Sequence, residues 1–130
     1  MEKAFRDFFD SLLLQRRKCP WARSRNDLSK EVLELESEVQ ELKQAIAKND
    51  VENMREELGD VFWDALYTGI IAEEKGLFTL EEVFEEVHRK LRRRKPWVFG
   101  NETVSGPKEA VERWNEIKRL EKEEKAKRSR

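Results

Sequence analysis

A chain with one cysteine cannot close an internal disulfide, and Cys19 is the only cysteine among 130 residues. His88 is the only histidine. One cysteine and one histidine offer no zinc cluster, and no histidine is placed to activate Cys19 as a nucleophile. No apolar run approaches the roughly 18 residues that a membrane-spanning helix needs. The opening stretch "MEKAFRDFFD" is too charged for a secretory signal. An excess of either charge is missing too: 27 Lys and Arg stand against 28 Asp and Glu, a formal net charge of -1. No whole-molecule field draws the chain to nucleic acid or to a membrane. A soluble cytoplasmic protein is the expectation.

What the sequence does have is charge of both signs. Charged residues make up 42% of it, against about 25% in ordinary globular proteins. The 38% that is hydrophobic can supply one core, and the length is that of one domain. We expect a single domain over residues 1 to 124 and a disordered basic tail over 125 to 130.

The periodicities predict an all-α fold of about five helices packed as an antiparallel bundle. The first runs from about 2 to 16, with Phe5, Phe9, Leu12 and Leu13 on one face. "KCPWARSRND" reads as an irregular loop with Pro20 as breaker. The second helix, about 28 to 48, carries Leu28, Val32, Leu35, Val39, Leu42 and Ile46 at heptad spacing. Asp50 is placed to cap the third helix, about 51 to 75, which stops near Gly76. Thr79 and Glu82 form a capping box for the fourth, with Leu80, Val83, Phe84, Val87 and Leu91 on its apolar face. "PWVFGNETVSG" reads as a loop, and Pro107 opens the fifth helix.

Three acids fall along one side of the third helix, within "NMREELGDVFWDALY". Glu57 and Asp60 are three residues apart, and Asp64 lies four beyond Asp60. Glu38 borders the seam of the second helix and Glu41 lies farther out on the same side. Two carboxylates one helical turn apart, about 5.4 Å, repel by roughly 3 kcal/mol at an effective dielectric of about 20. If the two helices pack antiparallel, a cation can answer that repulsion. Oxygen ligands without His or Cys favour magnesium or manganese, and magnesium commonly shares its carboxylates with substrate phosphates. The plainer reading is a solvated acidic face. That reading covers Glu31, Glu34, Glu36, Glu56, Glu73, Glu74, Glu85 and Glu86.

Together these residues resemble the MazG family of nucleoside triphosphate pyrophosphohydrolases. "SEVQE" is similar to the family's "EExxE", with Glu38 and Glu41 as its second and last acids. "ELGD" matches its "ExxD" through Glu57 and Asp60. "CPW" at 19 to 21, "AI" at 45 and 46, "EEKGLF" at 73 to 78, "KLRRRKPWVFG" and "WNEIKRLEKEEK" follow in the family's order. The resemblance implies an all-α bundle assembled as a homodimer or higher oligomer. It also implies magnesium held by Glu38, Glu41, Glu57 and Asp60. The implied reaction cleaves a nucleoside triphosphate between its α and β phosphates, releasing pyrophosphate.

The chain departs from the family pattern at several places. Ser37 replaces the first acid of "EExxE", and Glu34, one turn before Glu38, is a substitute base. Arg25, Asn26 and Asp27 stand where the family often reads "QTH". Asp64 stands where many relatives carry Gln, and Lys95 and Trp97 replace the histidines of "HPHVF". These positions bear on substrate choice. Arg93, Arg94 and Lys95 serve either the phosphates or their own helix end. Trp21 and Trp97 either stack on a base or close a core edge. Lys118 either reaches phosphate or is solvated. His88 and Cys19 read as structural. Two rival functions, a helical interaction module and a nucleic-acid-binding module, leave the acids on the third helix unexplained.

Overall fold

The computed structural model describes residues 1–129. Among them are seven helices and no strand: α1 Glu2–Lys18, α2 Pro20–Ser24, α3 Leu28–Ala47, α4 Val51–Glu74, α5 Leu80–Arg94, α6 Pro96–Phe99 and α7 Pro107–Arg128. The five expected helices are present. Two short ones are additional, in stretches expected to be loops. Both begin with proline at the first helical position. Proline lacks the N–H that is unsatisfied there anyway, and its fixed φ suits a helix start. Pro20 therefore opens a turn of helix instead of breaking one.

The chain divides into two compact units, Met1–Leu80 and Glu81–Arg130. The expectation of one domain over 1 to 124 did not draw that division. In the first unit the core consists of Leu12, Ala22, Leu66, Tyr67, Ile70, Ile71 and Leu80, with Phe8, Phe9, Leu13, Cys19 and Leu28 packed against it. Tyr67 and Ile71 are its fully buried large side chains. Asp50 caps α4 as expected, accepting from the Asn53 N–H at 3.2 Å. Asp27 does the same for α3, accepting from Ser29 and Lys30. Gly76 follows α4 at φ 72, a left-handed conformation that suits glycine.

Gly69 lies where a Cβ would come within 2.2 Å of Leu80 Cδ2. Alanine would gain about 1 kcal/mol of helix propensity there. Overpacking against a buried leucine typically costs about 1–3 kcal/mol. Gly69→Ala is therefore expected to lower the melting temperature in a circular-dichroism melt. An unchanged or raised value would show that Leu80 moves aside freely.

The second unit contains most of α5, with α6 and α7. Ile117 is buried there. Glu121 accepts from both Arg93 and Arg94. α7 continues to Arg128, through most of the tail expected to be disordered. Residues 125–128 of that tail are Lys, Ala, Lys and Arg, which favour helix without a core to pack on. Arg119 and Glu123 add an i,i+4 ion pair. Arg130, the last residue of that expected tail, lies outside the described residues. No helix among the described residues is long and apolar enough to cross a membrane.

Candidate metal centre and adjoining cavity

α3 and α4 pack on each other through the short link between them. The face that α3 turns to α4 is offset from the expected seam. Val32, Val39 and Ile46 remain about half exposed. The buried or half-buried line is Leu28, Glu31, Leu35, Glu38, Leu42 and Ala45, also at alternating gaps of three and four. Along α4 the matching line is Glu57, Asp60, Asp64, Tyr67 and Ile71. Acids thus occupy packing positions on both helices. Glu38 meets Glu57, and Arg25 joins Glu31 to Asp64. The step is seven residues on each helix, in opposite directions, so the pair is antiparallel.

At the first meeting point, Glu38, Glu41 and Glu57 each present a carboxylate oxygen, all within 4.8 Å of one another. Glu38 Oε2 and Glu57 Oε2 are buried with no hydrogen-bond donor. The only hydrogen bond open to them is a proton shared between carboxyls. The Glu38 carboxyl is accordingly pushed up to about 8, first by burial, then by hydrogen bonding to Glu57 and the charges of Glu41 and Asp60. Glu57 is also raised, chiefly by hydrogen bonding with Glu41. Buried carboxylate oxygens without a donor are costly. A divalent cation meets the same need without a proton, and an all-oxygen donor set suits a hard ion. The residues therefore fit a metal. Asp60 is half-buried beside the trio but is not in its tight group.

At the second meeting point, Arg25 donates to both oxygens of Glu31 at 2.6 and 2.8 Å, and to Asp64 Oδ1 at 3.4 Å. Glu31 is 2% exposed, which corrects its expected place on a solvated face. Glu73 and Glu74 are also engaged: Glu73 accepts from the Leu80 N–H, and Glu74 pairs with Arg16. Burial pushes both Glu31 and Asp64 upward, and Arg25 opposes the shift. The Arg25 guanidinium also lies over the rings of Trp21 and Tyr67.

Both meeting points border one cavity of about 670 Å³. Its walls include Trp21, Arg25, Glu34, Glu38, Asp60 and Asp64. Trp21 is 69% exposed there, so it does not close a core edge. Glu34 is exposed at the cavity, one turn from Glu38. Cys19 is half-buried, and its Sγ accepts from the Ala22 N–H, which caps α2. Arg93, Arg94, Lys95, Trp97 and Lys118 lie in the second unit. There Arg94 donates to Glu121 and lies over Trp114, as Lys95 does. Trp97 is half-buried in α6, and Lys118 is exposed on α7.

Sequence reasoning missed Arg16, Arg25, Glu31 and Tyr67 as a group. Arg16 is buried and donates to Glu74, to the carbonyls of Ala22 and Arg25, to Tyr67 Oη and to Asn26 Oδ1. The spacing of Glu31 and Glu38 with Leu28, Leu35, Leu42 and Ala45 was a readable signal. Nothing local marked Arg16.

The family model for the MazG nucleotide pyrophosphohydrolase domain matches residues 27–99. A nucleoside triphosphate pyrophosphohydrolase of Escherichia coli strain K12 is 32% identical over 111 residues. That alignment covers 85% of this chain and 42% of the relative. A nucleoside triphosphate pyrophosphohydrolase/pyrophosphatase MazG of Thermotoga maritima is 38% identical over 104 residues, covering 80% of this chain and 39% of the relative. The chain thus spans less than half the length of these relatives. A crystal structure of a MazG-related protein from Thermotoga maritima superposes with a TM-score of 0.78 at 32% identity. It covers 88% of this chain and 98% of that one.

Proposed function

The chain belongs to the MazG nucleotide pyrophosphohydrolase domain family, and we propose that it hydrolyses a nucleoside triphosphate between the α and β phosphates, in the cytoplasm, using magnesium. The observation that carries this reading is the trio Glu38, Glu41 and Glu57, with two buried carboxylate oxygens that no donor reaches. These three, with Asp60 beside them, would hold the ion. Bound magnesium neutralises phosphate charge and lowers the pKa of a coordinated water.

The chain's own groups supply the rest. Glu34 is exposed at the cavity wall, one turn from Glu38, so it is placed to accept a proton from the attacking water. It takes the part that Ser37 cannot. Trp21, exposed and beneath Arg25, offers a face for a base. Asp64 keeps one oxygen on Arg25 and lines the same cavity, so it is placed to meet the nucleoside.

The test is incubation with a panel of triphosphates and magnesium, followed by phosphorus NMR. Pyrophosphate and a monophosphate are the expected first products. Orthophosphate alone, or no turnover across the panel, would sink the proposal.

The resemblance also gives Arg94 a phosphate contact. Arg94 already serves Glu121 and Trp114, and losing those alone would lower stability without touching turnover. With a phosphate contact, Arg94→Ala is expected to lower kcat/KM tenfold or more, about 1.4 kcal/mol. Full activity would assign the contact to Arg93, Lys95 or Lys118.

We also propose a homo-oligomer, a dimer or larger. Val32, Val39 and Ile46 of α3 and Leu58 and Phe62 of α4 are 44–57% exposed, an unusual amount of apolar surface for one small unit. Light scattering should give a multiple of 15.6 kDa. A monomer at micromolar concentration would refute this.

A further inference from the structure

We propose that a second cavity in the first unit, basic where the first is acidic, binds a phosphate-bearing anion of two or more charges. This goes beyond the hydrolysis reading and does not rest on it. The cavity has a volume of about 660 Å³ and is lined by Arg16, Arg17, Arg23, Asn26, Glu74 and Lys75, with Ile71 at its floor. Asn26 is the only lining residue it shares with the acidic cavity.

The charges do not balance within it. Four cations face one acid, and that acid is already taken. Glu74 accepts from Arg16 Nε on both of its oxygens and pairs with Arg16 Nη2 at 2.6 Å. Arg17, Arg23 and Lys75 are exposed and form no ion pair among the described residues. They come from three separate segments: the last turn of α1, α2, and the residue after α4. Local i,i+4 pairs such as Lys3–Asp7, Arg89–Glu85 and Arg119–Glu123 occupy other cations of the chain, whereas these three are gathered around one cavity. The acidic cavity shows the opposite excess, with six acids against Arg25 and Lys30. The two signs are thus sorted into two cavities that meet at Asn26.

The ligand class follows from the donors. Two free guanidinium forks and one ammonium match the oxygens of a phosphate or of linked phosphates. Such a ligand would compete with Glu74 for Arg16. Arg16 in turn holds the carbonyls of Ala22 and Arg25 and the side chain of Asn26. From that same backbone, the Arg25 side chain reaches Glu31 and Asp64 in the acidic cavity. An anion in the basic cavity would therefore act on the wall of the other one through Arg16 and the turn it holds.

The test uses the full chain in EDTA, so that no divalent ion occupies the acids. Inorganic pyrophosphate and a nucleoside diphosphate are titrated separately by calorimetry. Single-site saturable binding is expected, weakening as sodium chloride rises. The triple variant Arg17→Ala, Arg23→Ala, Lys75→Ala should bind at least tenfold more weakly while its circular dichroism stays native. Glu57→Gln should bind as the wild type does. Amide exchange over residues 22–27 should change on binding in the wild type and not in the triple variant. A diphosphate that binds tenfold more tightly than pyrophosphate would make the ligand a nucleotide. Equal affinity would mean that the phosphates alone are read. No saturable binding at millimolar pyrophosphate would leave the three cations as helix-end charges in water and overturn the proposal. So would unaltered binding by the triple variant, or loss of binding in Glu57→Gln.

Discussion

Glu57→Gln is expected to end hydrolysis and to raise the melting temperature of the metal-free protein. The two effects have one cause. Glu57 Oε2 is buried without a donor, between Glu38 and Glu41. As a carboxylate it contributes the charge that a cation needs. Without the cation it adds like-charge repulsion at a place where water cannot help. The amide keeps the shape, removes the charge and brings two donors that can reach the neighbouring carboxyls. Altering residues that merely support metal ligands costs about 10–100-fold in affinity or activity. Removing a ligand's charge should exceed that range. If Glu57→Gln keeps more than a tenth of wild-type turnover, the trio is not the metal site. If its metal-free melting temperature falls, the acids are not in conflict.

The same conflict gives the wild type a pH dependence of known sign. Glu38 releases its proton near 4.5 in an unfolded chain and near 8 in the folded one. Between those values the folded state holds more protons, so stability falls as pH rises. Glu57 is shifted in the same direction. Metal-free melting temperatures should therefore be higher at pH 5.5 than at pH 8. Millimolar magnesium should reduce the difference, because ion binding stabilises the ionised acids by mass action. A flat metal-free profile, with no response to magnesium at pH 8, would count against the site.

The acids were legible because their spacing is local. Glu57, Asp60 and Asp64 recur at three and four residues, and a helix must bring such positions to one side. The helices themselves were legible for the same reason. The face they share was harder to read. The apolar line through Val32, Val39 and Ile46 is the more hydrophobic one, yet those residues are about half exposed. The line through Glu31 and Glu38 packs instead. Periodicity registers a stripe but does not say which stripe faces which neighbour. Here the choice depends on Arg25, which compensates Glu31 from a stretch expected to be loop. The helix opened by Pro20 was missed because proline signals both a break and a start. Which signal applies depends on whether helical residues follow.

Arg16→Met is expected to cost about 2–3 kcal/mol and to lower the melting temperature by about 10 °C. No sequence pattern announces it, since "QRRKC" reads as an ordinary basic helix end. The partners explain the size. Arg16 is 7% exposed, and each of its three guanidinium nitrogens meets at least one acceptor. Two acceptors lie more than 50 residues away, on α4: Tyr67 Oη at 2.9 Å and the Glu74 carboxylate. The others lie within α2 and the residues just after it. One side chain thus ties α1 to α2 and α4 at once. Methionine fills a similar length without any donor. The Ala22 carbonyl would still accept from Tyr67 Oη, but the Arg25 carbonyl and Asn26 would lose their hold. Breaking a fully buried pair costs about 3–5 kcal/mol. The lower figure applies because Glu74 is about half exposed and can turn to water. Arg16→Lys should recover only part, because three donors cannot replace five in a planar fork. Thermal melts of the three proteins, without metal, decide the matter. A methionine variant that melts within about 2 °C of the wild type, well under the shift expected for 1 kcal/mol, would mean that the turn after α1 is held by packing alone.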